Sequence, residues 1–215
     1  MISYSKRFLT LLTLLSLSGF TFAQGQKIEE GFDYRVLPVP QPVETKGKVE
    51  VIEFFWYGCP HCYDFEPELS AWVKRQPKDV VFRRVPVAFR DDLLPHSQLF
   101  YALEAMGKGD ALNDKVMYAI HKENKRLLTE PEIADWVASQ GIDRNTFLTT
   151  YRSFAVVSKA RAAKQLAEAY RIDGVPTIVM QGKYVTSPSI AGTKAKAIVV
   201  MDYLEEKIRK DKYKQ

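Results

Sequence analysis

The residues of this chain best suited to chemistry are its only two cysteines, Cys59 and Cys62, which lie three positions apart. They enclose Pro60 and His61, and a run of apolar residues from Val49 to Tyr57 precedes them. A cysteine pair at this spacing can open and close a disulfide reversibly, or it can supply two ligands of a zinc ion. The motif therefore predicts thiol or metal chemistry at one point of the chain.

The residues around the motif indicate how it is positioned. The β-branched and aromatic run before it predicts a buried strand that Gly58 ends. Pro60 suits the first position of a helix, because a proline has no N–H group to leave unpaired there. The helix continues with apolar residues at helical spacing, namely Tyr63, Phe65, Leu69, Trp72 and Val73. We therefore expect Cys59 at the N-terminus of a helix that follows the central strand, and we expect Pro67 to kink or restart that helix.

A helix N-terminus favours redox chemistry at Cys59. Its unpaired N–H groups and the positive end of the helix dipole stabilise a thiolate, and His61 can add a hydrogen bond or a positive charge. We predict that Cys59 is exposed, with a pKa well below the ~8.5 of a free cysteine. Cys62, one turn along, is expected to be buried and to resolve a mixed disulfide formed at Cys59. A stabilised thiolate also makes the disulfide a stronger oxidant, because it favours the reduced form.

Two other interpretations of the cysteine pair are weaker. As a structural crosslink, a four-residue ring would contribute only about 2 kcal/mol, against roughly 3 for a fifteen-residue loop. Zinc needs about four ligands, and besides the cysteines the chain offers only three histidines, His61, His96 and His121. We therefore expect no metal site, and we expect His96 and His121 to be ordinary helix residues.

The first residues resemble a secretory leader. Lys6 and Arg7 precede an apolar stretch at residues 8–17, and Thr21-Phe22-Ala23 forms a cleavage site of the small-residue type. We expect a cleaved signal peptide over residues 1–23, since the apolar stretch is too short for a span of about 20 residues; an uncleaved anchor is the alternative. A leader directs the chain to an oxidising compartment, where one cysteine pair is too few for a disulfide scaffold.

The rest of the chain predicts an α/β domain interrupted by helices. Short strands are expected at residues 34–37 and 80–87, and a hairpin at Thr177–Met180 and Lys183–Thr186 turns at Gln181-Gly182. A closing helix is expected over Thr193–Lys210. The stretch between is helical, at Pro95–Met106, Ala111–Lys122, Pro131–Gln140, Arg144–Ser153 and Phe154–Tyr170. We thus predict one domain from residues 24–90 and 173–215, with an inserted helical subdomain at 91–172.

The motif and its surroundings resemble the DsbA family of periplasmic thiol:disulfide oxidoreductases. The resemblance rests on Glu53-Phe54-Phe55 leading into Cys59-Pro60-His61-Cys62, on Val175-Pro176-Thr177 far downstream, and on the leader. It implies a thioredoxin fold with an inserted helical subdomain, and a redox-active Cys59–Cys62 disulfide in place of any cofactor. Pro60 and His61, between the cysteines, then belong to the catalytic motif.

The resemblance also implies roles for residues outside the motif. Pro176 would be cis and face the cysteines, exposing the backbone of Val175 to an extended substrate; the alternative is a proline that merely marks the start of a strand. Glu53 would accept a proton from Cys62, and Arg84 matches the position of its basic partner, where the family more often has lysine. An arginine would hold Glu53 ionised more firmly, which argues against a simple proton shuttle, and a solvated surface pair is the alternative.

The predicted function is that of a soluble, monomeric periplasmic enzyme that introduces disulfide bonds into newly exported proteins. The resemblance implies two partners, namely unfolded or reduced exported proteins and a quinone-linked inner-membrane reoxidase of the DsbB type. The formal net charge is +5, and part of it lies in the basic C-terminal stretch. This charge does not indicate nucleic-acid binding, because basic residues are expected at a frayed, solvated helix end. Two alternatives remain: a disulfide reductase or isomerase on the same fold, and a peptide-binding chaperone without redox activity.

Overall fold

The computed structural model describes residues 27–212, which fold around a five-stranded mixed sheet. The strands are β1 (Arg35–Val36), β2 (Val49–Phe55), β3 (Val80–Pro86), β4 (Thr177–Met180) and β5 (Tyr184–Thr186), in the order β1-β5-β4-β2-β3. The predicted leader, residues 1–23, lies outside the described residues, as do residues 213–215.

Strand β2 is the centre of the sheet, and every residue of it is buried. It pairs in parallel with β3 and antiparallel with β4. The β4–β5 hairpin turns at Gln181 and Gly182, whose φ angles of 53° and 60° suit a two-residue turn. A Cβ atom on Gly182 would lie 2.2 Å from the carbonyl oxygen of Gln41, so the turn requires glycine there. The predicted parallel pair and hairpin are both confirmed.

Helix α1 (Pro60–Lys74) follows β2 and leads to β3. It continues without a break through Pro67, so the predicted restart at that proline does not occur. Helix α8 (Lys194–Lys212) packs beside α1, where the Trp72 indole donates a hydrogen bond of 2.7 Å to Asp202. The short helix α7 (Pro188–Ala191) was not predicted; Ser187 caps it by accepting a hydrogen bond from the N–H of Ile190.

The chain between β3 and β4 is helical, as predicted, and the helix ends differ from prediction by two residues at most. The helices are α2 (Leu94–Ala105), α3 (Gly109–His121), α4 (Glu130–Ser139), α5 (Arg144–Tyr151) and α6 (Phe154–Ala169). None of the helices within residues 27–212 is long and apolar enough to cross a membrane. The fold is therefore α/β with a helical insertion in a thioredoxin-like sheet.

Alternate residues of β2 divide the core between the two faces of the sheet. Val49 and Val51 pack with α1 and α8, whereas Ile52 and Phe54 pack with α6. At its carboxyl end the strand enters a third cluster, where Phe55 and the residues that follow it, including both cysteines, pack among α2, α3, α4 and α5. The cysteine motif thus lies where the sheet meets the helical insertion.

Candidate active site

Cys59 caps the N-terminus of α1. Its backbone is extended, and its N–H group donates to the carbonyl of Trp56 at 2.9 Å, closing the turn that follows β2. Within this turn a Cβ atom on Gly58 would lie 2.3 Å from the Trp56 ring, so only glycine fits beneath the indole. Pro60 opens the helix, as the sequence predicts.

Several donors stabilise a negative charge on the Cys59 sulfur. The largest contribution is a hydrogen bond from the thiol of Cys62. Burial, the next largest effect, acts in the opposite direction and raises the pKa. The N–H groups of Cys62 and His61 and the charge of His61 make smaller contributions that lower it. Together these effects lower the pKa of Cys59 to about 6. The predicted direction and the helix-terminus cause are confirmed, whereas the role of Cys62 as the main donor was not predicted. Its thiol reaches the sulfur because the i+3 spacing places it on the same side of the first turn.

Cys59 is not exposed, so that prediction is wrong. Only 7% of the residue is accessible. The loop before β4 covers it: in the thiol form the Cys59 sulfur donates to the carbonyl oxygen of Val175, 3.4 Å away. Sequence spacing could not show this cover, because the loop lies more than a hundred residues further along the chain.

Cys62 has the opposite environment. It is fully buried, and burial is the largest reason why its pKa lies far above that of a free thiol. Its hydrogen bond to Cys59 and the negative charge of Glu53 act in the same direction. The prediction that Cys62 is buried is confirmed, and the two cysteines differ strongly in their tendency to ionise.

The Val175–Pro176 loop faces the cysteines as the resemblance implies. The peptide bond between these residues is cis. Thr177 begins β4 opposite Phe54 of β2, which brings the loop to the carboxyl end of the central strand. The Thr177 hydroxyl donates to the carbonyl of Gly174 at 2.7 Å and closes the loop. Strand pairing therefore joins the two parts of the site.

Glu53 and Arg84 form a buried ionic cluster together with Glu66. The two strands place Glu53 opposite Arg84, with 2.9 Å between Glu53 Oε2 and Arg84 Nε. Arg84 Nη2 lies 2.6 Å from Glu66 Oε1, and the Ser70 hydroxyl donates to the same oxygen. Glu53 is fully buried, so the alternative of a solvated surface pair is wrong. Glu66 was not predicted as a member of this cluster, although an acidic residue among the apolar positions of α1 is a signal for a buried ion pair.

Burial decides the protonation of this cluster. It raises the pKa of Glu53 to about 7, although the charge of Arg84 and its hydrogen bond act against it and the charge of Glu66 acts with it. The pKa of Glu66 is raised as well, again mainly by burial. The expectation that arginine would keep Glu53 firmly ionised therefore does not hold, and Glu53 can exchange a proton near neutral pH.

A cleft of about 830 Å³ opens beside the cysteines, and His61, Val175 and Pro176 line it. The two aromatic residues before the motif do not line this cleft. Tyr57 is buried in the core, and Trp56 lies half-buried over Gly58. Among residues 27–212, no cluster of three or more histidine, cysteine or acidic side chains could hold a metal.

A thioredoxin-like sheet that carries a C-x-x-C pair of such unequal cysteines, facing a cis-proline loop, defines a thiol–disulfide oxidoreductase. The sequence profile of the DSBA-like thioredoxin domain matches residues 50–198. The chain is 47% identical to the thiol:disulfide interchange protein DsbA of Burkholderia cepacia, over 94% of this chain and 97% of that one. It is 44% identical to the protein of the same name from Pseudomonas aeruginosa, over 93% and 94%.

Solved structures of DsbA proteins are similar to this fold. The crystal structure of Pseudomonas aeruginosa DsbA superposes with a TM-score of 0.83 at 44% identity, covering 86% of this chain and 97% of that chain. The oxidoreductase NmDsbA1 of N. meningitidis gives 0.77 at 30% identity, over 86% and 96%. This chain therefore belongs to the DsbA family. It is a dithiol oxidase that forms disulfide bonds, and a redox-active cysteine pair rather than a cofactor carries that chemistry.

The donors at Cys59 make its ionisation sensitive to His61. Replacing His61 with leucine removes a positive charge beside the sulfur, so we expect a higher Cys59 pKa and a disulfide that is more stable relative to the dithiol. Thiolate absorbance against pH and the equilibrium with glutathione measure the two effects. A wild-type midpoint at or above ~8.5 would contradict the site geometry, and an unchanged glutathione equilibrium in His61→Leu would contradict the role of His61.

The low Cys59 pKa also makes stability depend on redox state and pH. A pKa of about 6 in the folded protein, below the ~8.5 of the unfolded chain, stabilises the reduced fold fully above pH ~8.5. This stabilisation is lost as the pH falls to about 6. Since a four-residue disulfide ring contributes only about 2 kcal/mol, we expect the reduced protein to resist urea better than the oxidised one at pH 8.5. The difference between the urea midpoints of the reduced and oxidised proteins should be smaller at pH 6. An equal difference at both pH values would contradict the link between the Cys59 pKa and stability.

Arg84 stabilises two buried carboxylates, so its loss should be costly. We expect Arg84→Met to destabilise the fold by about 3–5 kcal/mol at pH 8, as for other broken buried pairs. The loss should be smaller at pH 5, because Glu53, whose pKa is raised to about 7, is then neutral. Urea unfolding at both pH values measures this. Arg90→Met, which breaks the exposed pair with Asp92, is the matched control and should change little.

Proposed function

We propose that Cys59 is the residue that exchanges disulfides with substrate. In the oxidised enzyme, a substrate thiolate attacks Cys59, the Cys59–Cys62 bond breaks, and Cys62 leaves as the reduced sulfur. A second substrate thiolate then attacks the substrate sulfur of the mixed disulfide, and Cys59 leaves as a thiolate. The substrate loses two electrons and the enzyme gains them. The observation that carries this assignment is the contrast between the lowered pKa of Cys59 and the raised pKa of Cys62.

Glu53 is proposed to exchange the proton of Cys62. A cysteine with a raised pKa is a poor leaving group as a thiolate, so it needs a proton as its bond breaks. Glu53 lies close enough for its charge to raise the Cys62 pKa, and its own pKa of about 7 allows it to give or take a proton at neutral pH. Arg84 positions the carboxylate through its hydrogen bond to Oε2.

The substrate is proposed to lie along the cleft beside His61. The backbone of Val175 is already within reach of the Cys59 sulfur, which supports its pairing with an extended substrate segment, and Pro176 holds that loop in place. A thiolate stabilised in this way favours oxidation of substrates over their reduction, so the oxidase is supported better than a reductase or isomerase. The stabilised thiolate also supports a redox enzyme over a chaperone that binds peptides without redox activity.

The cellular setting belongs to the same proposal. We infer that residues 1–23 are removed as a signal peptide and that the mature protein acts as a monomer in the periplasm on unfolded or reduced exported proteins. A quinone-linked inner-membrane protein of the DsbB type would reoxidise it. We further assign residues 24–90 and 173–215 to the thioredoxin-like domain and 91–172 to the inserted helical subdomain. Family membership supports these assignments.

Two cysteine variants test the mechanism. The substrate is a reduced peptide with two cysteines. Its oxidation is measured with a stoichiometric amount of oxidised wild-type protein, and separately with the same amount of Cys59→Ser. We expect Cys59→Ser to abolish the reaction, because the remaining Cys62 cannot form the enzyme disulfide that the substrate thiolate attacks. Reduced Cys62→Ser, given a peptide activated as a mixed disulfide, should retain that peptide on Cys59 because nothing resolves it. Capture of peptide by Cys59→Ser through Cys62 would contradict the assignment. Equal suppression of substrate aggregation by wild type and Cys59→Ser, without oxidation by either, would favour the chaperone.

A further inference from the structure

His121 connects the helical insertion to the turn in front of Cys59. It is the last residue of α3, and its Nε2 atom lies 2.8 Å from the carbonyl oxygen of Tyr57, two residues before Cys59. A carbonyl can only accept, so Nε2 carries the hydrogen and donates it. Within residues 27–212 no backbone N–H group donates to this oxygen. The imidazole therefore satisfies a backbone acceptor that the turn itself leaves unpaired.

The same imidazole also contacts the first part of α1. Its ring stacks on that of Tyr63, with the ring centroids 4.9 Å apart and the planes 23° from parallel. Tyr63 lies four residues after Cys59, and its N–H group donates to the Cys59 carbonyl at 3.1 Å. The Lys122 ammonium lies 5.3 Å from the Tyr63 ring centroid and adds a cation–π contact. His121 thus touches the chain on both sides of Cys59.

We propose that His121 is a positioning residue that braces the turn before Cys59 against the first turn of α1. The proposal rests on the function proposed above for Cys59. Hydrogen bonds weaken steeply as their distance and angle depart from the optimum, so the N–H groups of His61 and Cys62 stabilise the sulfur only while turn and helix keep their relative placement. Neither the turn nor the helix sets that placement alone, because Cys59 is the junction between them.

The Tyr57 side chain explains why the brace acts on the backbone. The ring is buried against Phe55, Phe100 and His96, so the core already holds the side chain of Tyr57. The hydrogen bond from the Cys59 N–H group to the Trp56 carbonyl closes the turn, but it does not hold the carbonyl oxygen of Tyr57 itself. His121 holds this oxygen, and its hydrogen bond fixes the direction in which the chain leaves Tyr57 towards Cys59.

Two substitutions of His121 separate the hydrogen bond from the stacking. His121→Phe keeps an aromatic ring against Tyr63 and loses the donor, whereas His121→Gln keeps an N–H donor at similar reach and loses the ring. The mature protein is titrated by thiolate absorbance and equilibrated with glutathione. We expect His121→Phe to lower the ionisation constant of Cys59 about threefold, the scale of one net hydrogen bond, and to shift the glutathione equilibrium towards the disulfide. His121→Gln should lie closer to wild type.

Tyr63 provides an independent pair of variants. Tyr63→Leu removes the surface on which the imidazole stacks but leaves the His121 donor in place. It should therefore move the Cys59 titration in the same direction as His121→Phe, but by a smaller amount, similar to that of His121→Gln. Tyr63→Phe keeps the ring and should leave the titration unchanged. Ile133→Val, a buried truncation in α4, serves as the control for general destabilisation, of about 0.5–1.5 kcal/mol. It should lower the urea midpoint without moving the Cys59 titration.

The outcomes distinguish the brace from the function on which it rests. A wild-type Cys59 pKa near that of a free cysteine would remove the proposed function itself. A low wild-type pKa that His121→Phe and Tyr63→Leu leave unchanged, in folded protein, would overturn only the brace. An effect of His121→Gln as large as that of His121→Phe would also overturn it, because the retained donor should rescue the placement of the turn.

Discussion

The structure depends on holding a negative charge on a sulfur atom that is almost covered by protein. Only 7% of Cys59 is accessible, so solvent contributes little to stabilising its thiolate. The protein replaces water with a thiol from Cys62, two backbone N–H groups and the charge of His61. All of these come from the first turn of α1, and they point at the sulfur because β2 and the turn after it deliver Cys59 to the start of that helix.

The same constraint explains why a carboxylate so near the cysteines is paired as it is. Glu53 and the Cys59 thiolate raise each other's energy, since both are negative and share a region of low polarity. Arg84 lies between Glu53 and Glu66 and offsets part of this repulsion, while burial keeps the Glu53 pKa high enough for the group to take up a proton. In the proposed mechanism, Cys62 can therefore be a buried thiol in the reduced protein and still exchange its proton with Glu53.

Much of this site could be predicted from residue order, because its first half is local. The position of Cys59 follows from the apolar run before Gly58, the proline at the start of α1 and the three-residue spacing of the cysteines. The strand itself ends at Phe55, three residues before Gly58. The parts that could not be predicted come from contacts between distant segments. The Val175 carbonyl covers Cys59, Glu66 joins the ionic cluster, and His121 reaches the Tyr57 carbonyl from the helical insertion. The sequence predicts an ordinary helix residue at His121, because spacing within α3 carries no information about Tyr57.

The arrangement of the site along the chain has a consequence for the order in which the protein acquires reactivity. Cys59 and Cys62 belong to the first third of the chain, whereas the loop that faces them follows all the helices of the insertion. A chain that emerges from its N-terminus therefore presents both cysteines before β4 exists to complete the sheet. Until then the two thiols lack their facing loop and the packed first turn, and they should behave as ordinary cysteines. The enzyme would gain its oxidising power only once β4 and the loop before it have joined the sheet.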